Sequence, residues 1–284
     1  MTAAVEGAAV RIAALIAPKI NLALYQNAIP VLRDLKIVNE ADAPLEQLEL
    51  SIASTPAFLR AKTWRIERVG AGATFHLTDL DVDLDGALLA GLQEAERASV
   101  TLTLRDPNSE IAQTESDVRL LAPNEWGGAG SLPEILAAFV RPNDPAVETV
   151  LKKAAEILHA SGKAPGLDGY QSGHRERAWE IVAAVWSAVS SLGIDYVVPP
   201  ASFEQEGQKV RSPSHILDKR LGTCLDLALL FAAALEQAGL NPLLVLRRGH
   251  AFAGCWLANE DFSSARQRAA TAWPPAAARL RRPA

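Results

Sequence analysis

The chain has no run of 18 apolar residues, so no membrane-spanning helix is expected and no membrane partner is implied. Cysteine is scarce: Cys224 and Cys255 are the only two in 284 residues, too few for a disulfide framework. Reduced thiols and a cytoplasmic location follow as the expectation. Positive charge is not in excess, since 28 Lys and Arg face 33 Asp and Glu for a net charge of −5, and no global basic field draws the chain to nucleic acid. A Walker-type Gly-Lys-Ser/Thr loop and a dinucleotide fingerprint are both missing, so no cofactor is expected. His76, His159, His174 and His215 fall on separate stretches without the spacing of a zinc site, and no metal is expected.

What is present suits a globular protein. The apolar fraction is 49%, and the length allows two ordinary domains. Residues 3–17 are Ala-rich but broken by Glu6 and Arg11, which predicts an N-terminal helical segment over residues 1–18, not a secretory signal. Residues 19–122 carry a strand period. Leu48, Leu50 and Ile52 alternate with Glu49 and Ser51; Val100, Leu102 and Leu104 alternate with Thr101 and Thr103; Phe75 and Leu77 flank His76; Val82 and Leu84 flank Asp83. Short alternating runs between turn residues predict an antiparallel β-sandwich. The Pro- and Gly-rich residues 123–130 break that pattern and mark the expected domain boundary. Helical patterns follow over 132–139, 145–160 and 175–192, and a further helix starts at Ser212-Pro213. The overall expectation is α+β: a β-sandwich, then an α+β domain over 123–262.

Within that second domain, Arg220-Leu-Gly-Thr-Cys224-Leu-Asp is followed by Gly249-His250-Ala-Phe. Thr223 can cap a helix that runs to about Ala238 and stops at Gly239. Cys224 then sits in the first turn, where the helix dipole and free N–H groups favour a thiolate. A strand over 243–246, a turn over 247–249 and a strand over 250–257 would bring His250 alongside. A thiol at a helix start beside an imidazole on a strand is what nucleophilic cysteine catalysis requires. On the second strand His250, Phe252 and Trp256 share one face and Cys255 the other, so Cys255 reads as packing. Asp226, in the first helical turn, reads as a favourable partner of the helix dipole.

Gly222-x-Cys224, the apolar helix and the Gly-His-Ala-Phe strand resemble the transglutaminase-like fold of the papain-like cysteine enzymes. The longer run from Asp168-Gly-Tyr-Gln-Ser through Pro199-Pro-Ala-Ser-Phe-Glu and Gly207-Gln-Lys-Val-Arg to Trp256-Leu resembles the N-terminal part of large bacterial helicase-related proteins that contain a domain of unknown function. The resemblance implies a Cys224–His250 pair and a third group that orients the imidazole, for which Asn259 and Asp261 are the candidates. Gln208 is a candidate oxyanion-hole amide.

Two functions stay open at this stage. One is a peptidase, amidase or acyl transferase acting on a protein or peptide substrate. The other is a non-catalytic recognition or regulatory module for a helicase or nuclease partner. The last segment, 263–284, holds five arginines and no acid, and is expected to be a disordered basic tail or a truncated end. Contact with nucleic acid is expected only through it.

Overall fold

A computed structural model describes residues 9–262. The chain is α+β and divides into two compact units, residues 1–138 with 205–210, and residues 139–204 with 211–284. The expected basic tail lies outside the described residues. Among the described residues no helix is long and apolar enough to cross a membrane.

The first unit is built on strands. In chain order these are β1 (Val10–Ile16), β2 (Lys19–Ile20), β3 (Leu32–Asn39), β4 (Leu45–Thr55), β5 (Lys62–Val69), β6 (Thr74–His76), β7 (Glu96–Arg105), β8 (Glu110–Leu120) and β9 (Glu125–Trp126). Two short helices, α1 (Leu22–Gln26) and α2 (Gly86–Gly91), lie between them. One sheet has the order β1-β3-β6 and the other β2-β8-β7-β4-β5. All pairs in these two sheets are antiparallel except β2 with β8. The period-2 pattern is realised directly: Leu48, Leu50 and Ile52 are buried, and Leu50 pairs Leu104 on one side and Trp64 on the other. Val10, Ile12, Leu35 and Ile37 of the smaller sheet join these side chains in one buried cluster, which is the core of a β-sandwich.

Three expectations are corrected here. The helical segment expected over residues 1–18 is instead strand from Val10 to Ile16, paired with β3. Val10 and Ile12 are buried while Arg11 between them is exposed, so alternation, not the local alanine content, decides the state. The sandwich therefore starts at Val10 and not at residue 19. Second, Val82 and Leu84 do not form a strand; the segment makes only a single bridge, Leu59 to Leu84, before α2. Third, residues 123–130 are not the boundary. Trp126 is fully buried, and β9 pairs antiparallel with β11 (Gln208–Lys209), a strand that returns to this unit from much later in the chain. Gly207, at φ +91, makes that approach feasible, because a side chain there would collide with the Trp126 carbonyl.

The second unit holds a 3₁₀ turn (Pro133–Phe139 ends at its border), then α3 (Pro145–Ala160), α4 (Arg175–Ser190), β10 (Asp195–Tyr196), α5 (Phe203–Glu206, at the border), α6 (Pro213–Lys219), β12 (Leu221–Gly222), α7 (Cys224–Gln237), β13 (Pro242–Arg247) and β14 (His250–Cys255). Asp144 caps α3 through Ala146 N at 3.0 Å, with Pro145 at its first position, as helix-start chemistry favours. Val147, Val150, Ala154 and Leu158 of α3 pack with Ile181, Val185 and Ala188 of α4 and with Leu230, Ala234 and Leu235 of α7. The motif Asp168-Gly-Tyr explains itself in this frame. Asp168 accepts from Arg177 Nε at 2.8 Å, and Gly169, at φ +54, lies so close to the Gly239 carbonyl that a Cβ would sit 2.5 Å from its oxygen. Tyr170 Oη donates to Trp256 O at 2.6 Å and accepts from Asn241 N at 3.0 Å, tying the approach to α4 to the open end of the β13–β14 hairpin.

Burial pushes the Tyr170 phenol up to about 12. The folded chain thus keeps a proton that the unfolded chain releases above its ordinary value of about 10, so stability falls as pH rises from about 10 to 12. Tyr170→Phe is expected to flatten that decline in urea titrations run across the window, and to remove one high-pH step from the ultraviolet tyrosinate titration.

Candidate active site

Cys224 is the first residue of α7. Thr223 caps the helix by accepting from Asp226 N at 3.3 Å, and the Asp226 carboxylate accepts from Thr223 N at 2.9 Å, a reciprocal capping box. Asp226 is fully buried and also accepts from Arg211 N and Arg211 Nη1, both at 2.8 Å. The expected favourable interaction with the helix dipole is there, but it is part of a larger role: this carboxylate fixes the turn that presents the thiol.

Cys224 is only 3% exposed. It lines a cavity of about 570 Å³ together with His250, Ala251, Phe252, Tyr196 and the α4 tryptophans Trp179 and Trp186. That size is ordinary for a ligand site. The lining contains no Asp, Glu, Lys or Arg. His250 opens β14 and pairs with Arg247 across the hairpin turn. Its ring stacks on Phe252 at 6.2 Å with 28° between planes, while Ala251 between them is buried. Cys224 and His250 thus line one cavity, but no hydrogen bond joins them.

The thiol's neighbour is instead Tyr196, which composition and spacing did not single out. β10 pairs in parallel with β12, setting Tyr196 opposite Gly222, and Val197 N donates to Gly222 O at 2.9 Å. This register brings the phenol to the residue two positions before Cys224. Burial and then a hydrogen bond with the Cys224 thiol raise the Tyr196 pKa above its ordinary value. The available signal was the tyrosine just before the Val-Val-Pro-Pro stretch, but only the parallel bridge assigns it to the thiol.

The remaining candidates lie elsewhere. Asn259 Oδ1 accepts from Asn241 Nδ2 at 3.3 Å, beyond the end of β14, and Asp261 is exposed; neither lines the cavity. Gln208 is on β11 of the first unit and is buried there. Among the described residues no hydrogen bond reaches the His250 ring. Cys255 lines the far part of the cavity, with Sγ 3.2 Å from Trp256 O, and burial raises its pKa against a smaller lowering by Tyr170. Among the described residues no group of three His, Cys, Asp or Glu could hold a metal ion.

No family model matches the chain, and no curated protein matches it. It is similar to a crystal structure of "a putative protease" from Parabacteroides distasonis, at 13% identity and a TM-score of 0.27. That match covers 73% of this chain but only 35% of the other. A likeness this loose carries no weight for fold or activity.

Two outcomes follow from the geometry. Asp226→Ala strands the Arg211 guanidinium and two backbone N–H groups and should destabilise the chain by about 3 kcal/mol, read from the urea midpoint; the value sits at the low end for a broken buried pair because Arg211 keeps some access to water. Tyr196→Ala uncovers the thiol and should speed Cys224 alkylation by iodoacetamide roughly tenfold, whereas Tyr196→Phe, which keeps the ring, should change it far less, as followed by mass spectrometry.

Proposed function

We propose that the chain is a cysteine-nucleophile enzyme of the papain-like, transglutaminase-like kind, with Cys224 as nucleophile and His250 as base. The observation that carries this reading is the placement of Cys224 at the first position of a buried, capped helix, lining the same cavity as an exposed histidine at a strand start. The Cys224 proton passes to His250 as Sγ attacks a carbonyl carbon of a protein or peptide substrate. The carbonyl oxygen becomes an oxyanion, which the positive end of the α7 dipole beside Cys224 favours. On collapse the C–N bond breaks, and the amine leaves with the proton from His250. The thioester then passes its acyl group to water or to a second amine. Attack requires His250 to turn from its stack on Phe252. Both cysteines are free thiols, in keeping with a reducing, cytoplasmic setting.

A second reading is a recognition module that keeps the fold without turnover, serving a helicase or nuclease partner. It is favoured by one observation: among the described residues no carboxylate or amide holds the His250 ring, and a base without an orienting group is weak.

One experiment separates the two. A peptide-like acyl electrophile, such as an acyloxymethyl ketone, is titrated against the chain between pH 5 and 9. The enzyme reading expects Cys224 to be modified at least about tenfold faster than Cys255 at pH 7, and His250→Ala to slow Cys224 about a hundredfold while leaving Cys255 unchanged. Equal rates at the two thiols, or no effect of His250→Ala, would leave the recognition reading in place.

A further inference from the structure

We infer that the cavity beside Cys224 takes the long aliphatic acyl group of an N-acyl amine, with the amide carbonyl at the thiol and the alkyl chain laid along α7. This rests on the catalytic reading for its chemistry, since it names the acyl half of the substrate, but binding tests it separately.

The shape of the cavity comes from the topology. β13 turns back along α7 after Gly239, and β14 then runs beside α7 in the same sense. Tyr170 marks the far end, because its hydroxyl holds both Asn241, just past α7, and Trp256, just past β14. His250 therefore lies toward the Cys224 end. The cavity follows one stripe of α7, through Cys224, Leu227, Ala228, Phe231 and Leu235. From Cys224 to Leu235 the helix rises about 16 Å, and from His250 to Cys255 the strand rises about 17 Å. The cavity of about 570 Å³ is thus a slot, longer than it is wide.

Polarity changes along the slot. Cys224, Tyr196 and His250 stand at its head. Beyond them the walls are Leu227, Phe231 and Leu235 on α7 and Ala251 and Ala253 on β14. At the far end the Cys255 thiol is already engaged, with Sγ 3.2 Å from Trp256 O. Every residue of α7 from Cys224 to Leu235 is buried except Leu227 and Phe231, so the apolar surface the helix leaves open is the surface that faces the slot. No charged side chain lines it. A fitting occupant is polar at one end and apolar over the rest. A single amino-acid side chain reaches only part of the way. A cation would find aromatic faces but no carboxylate. An extended dodecanoyl chain matches the length and asks for no hydrogen bond beyond its carbonyl. The amine half stays outside, and an Nε-acylated lysine in a peptide and a free N-acyl amino acid present the same amide.

Two probe series are titrated by calorimetry into the full chain carrying Cys224→Ala: N-alkanoylglycines and peptides with an Nε-alkanoyl-lysine, each from hexanoyl to hexadecanoyl. Affinity should rise about two- to fourfold per methylene as far as about dodecanoyl and then level off. Tighter binding of one series at equal chain length tells a free amine from an acylated protein as the source. Ala253→Leu, at a half-buried position partway along β14, should move the plateau to chains several carbons shorter and leave hexanoyl binding unchanged, a pattern that misfolding does not produce. In the unaltered chain, 4-nitrophenyl alkanoates should acylate Cys224 with the same chain-length dependence: the Sγ–C bond forms, the C–O bond breaks, nitrophenolate leaves, and the acyl mass appears on the Cys224 peptide. The inference is overturned if affinity is flat with chain length, if it climbs through hexadecanoyl without levelling, or if no chain binds until residues 263–284 are deleted. A flat response together with His250-dependent labelling of Cys224 by the acyloxymethyl ketone would sink acyl binding and keep the catalytic reading. A plateau near dodecanoyl together with His250-independent labelling would do the reverse.

Discussion

The buried carboxylate of Asp226 takes three donors at once: the Thr223 amide, the Arg211 amide and the Arg211 guanidinium. A fully desolvated charge is tolerable only when so supplied, and the supply has structural consequences. The Thr223 bond closes the capping box and fixes where α7 begins, so Cys224 cannot slide into the second turn. The Arg211 bonds tie the approach to α6 to the same point. Because β12 directly precedes the cap and pairs with β10, the place of Tyr196 in the cavity wall is inherited from this anchor as well.

The far end of α7 is held by a close backbone contact and by side-chain hydrogen bonds. Gly169 meets Gly239 main chain to main chain, at the end of α7, and Tyr170 ties that junction to the hairpin at Asn241 and Trp256. Arg177 anchors the preceding loop through Asp168 and the Ala164 carbonyl. One end of α7 is thus set by Asp226 and the other by a glycine contact, with the cavity running along the helix between them.

Much of this was legible in residue order. The strands around Leu50 and Leu102 follow period 2, α3 begins at its Asp-Pro start, and α7 begins at Thr223 because a capping residue precedes an apolar helix. The N-terminal strand was hidden, since alanines at 13 and 14 weaken alternation and only pairing with β3 decides the state. The 123–130 stretch read as a linker because glycines dominate it, yet Trp126 is buried by a strand some eighty positions later, a contact that local pattern does not encode. The thiol and imidazole were named from motif, and the cavity unites them. The place of Tyr196 beside them depends on a parallel bridge of two residues, too short to leave a periodic trace.

The return of β11 to the first unit has a bearing on synthesis. That unit closes its β9–β11 pair only after residue 209 has been made, by which time α3 and α4 are complete in the chain. On the ribosome β9 must therefore wait, unpaired, through some eighty residues of elongation, several seconds at about 5–20 residues per second. The sandwich is thus a unit that cannot finish before its neighbour has begun, and a nascent chain halted anywhere between residues 139 and 204 would present an unpaired strand edge to chaperones or proteases.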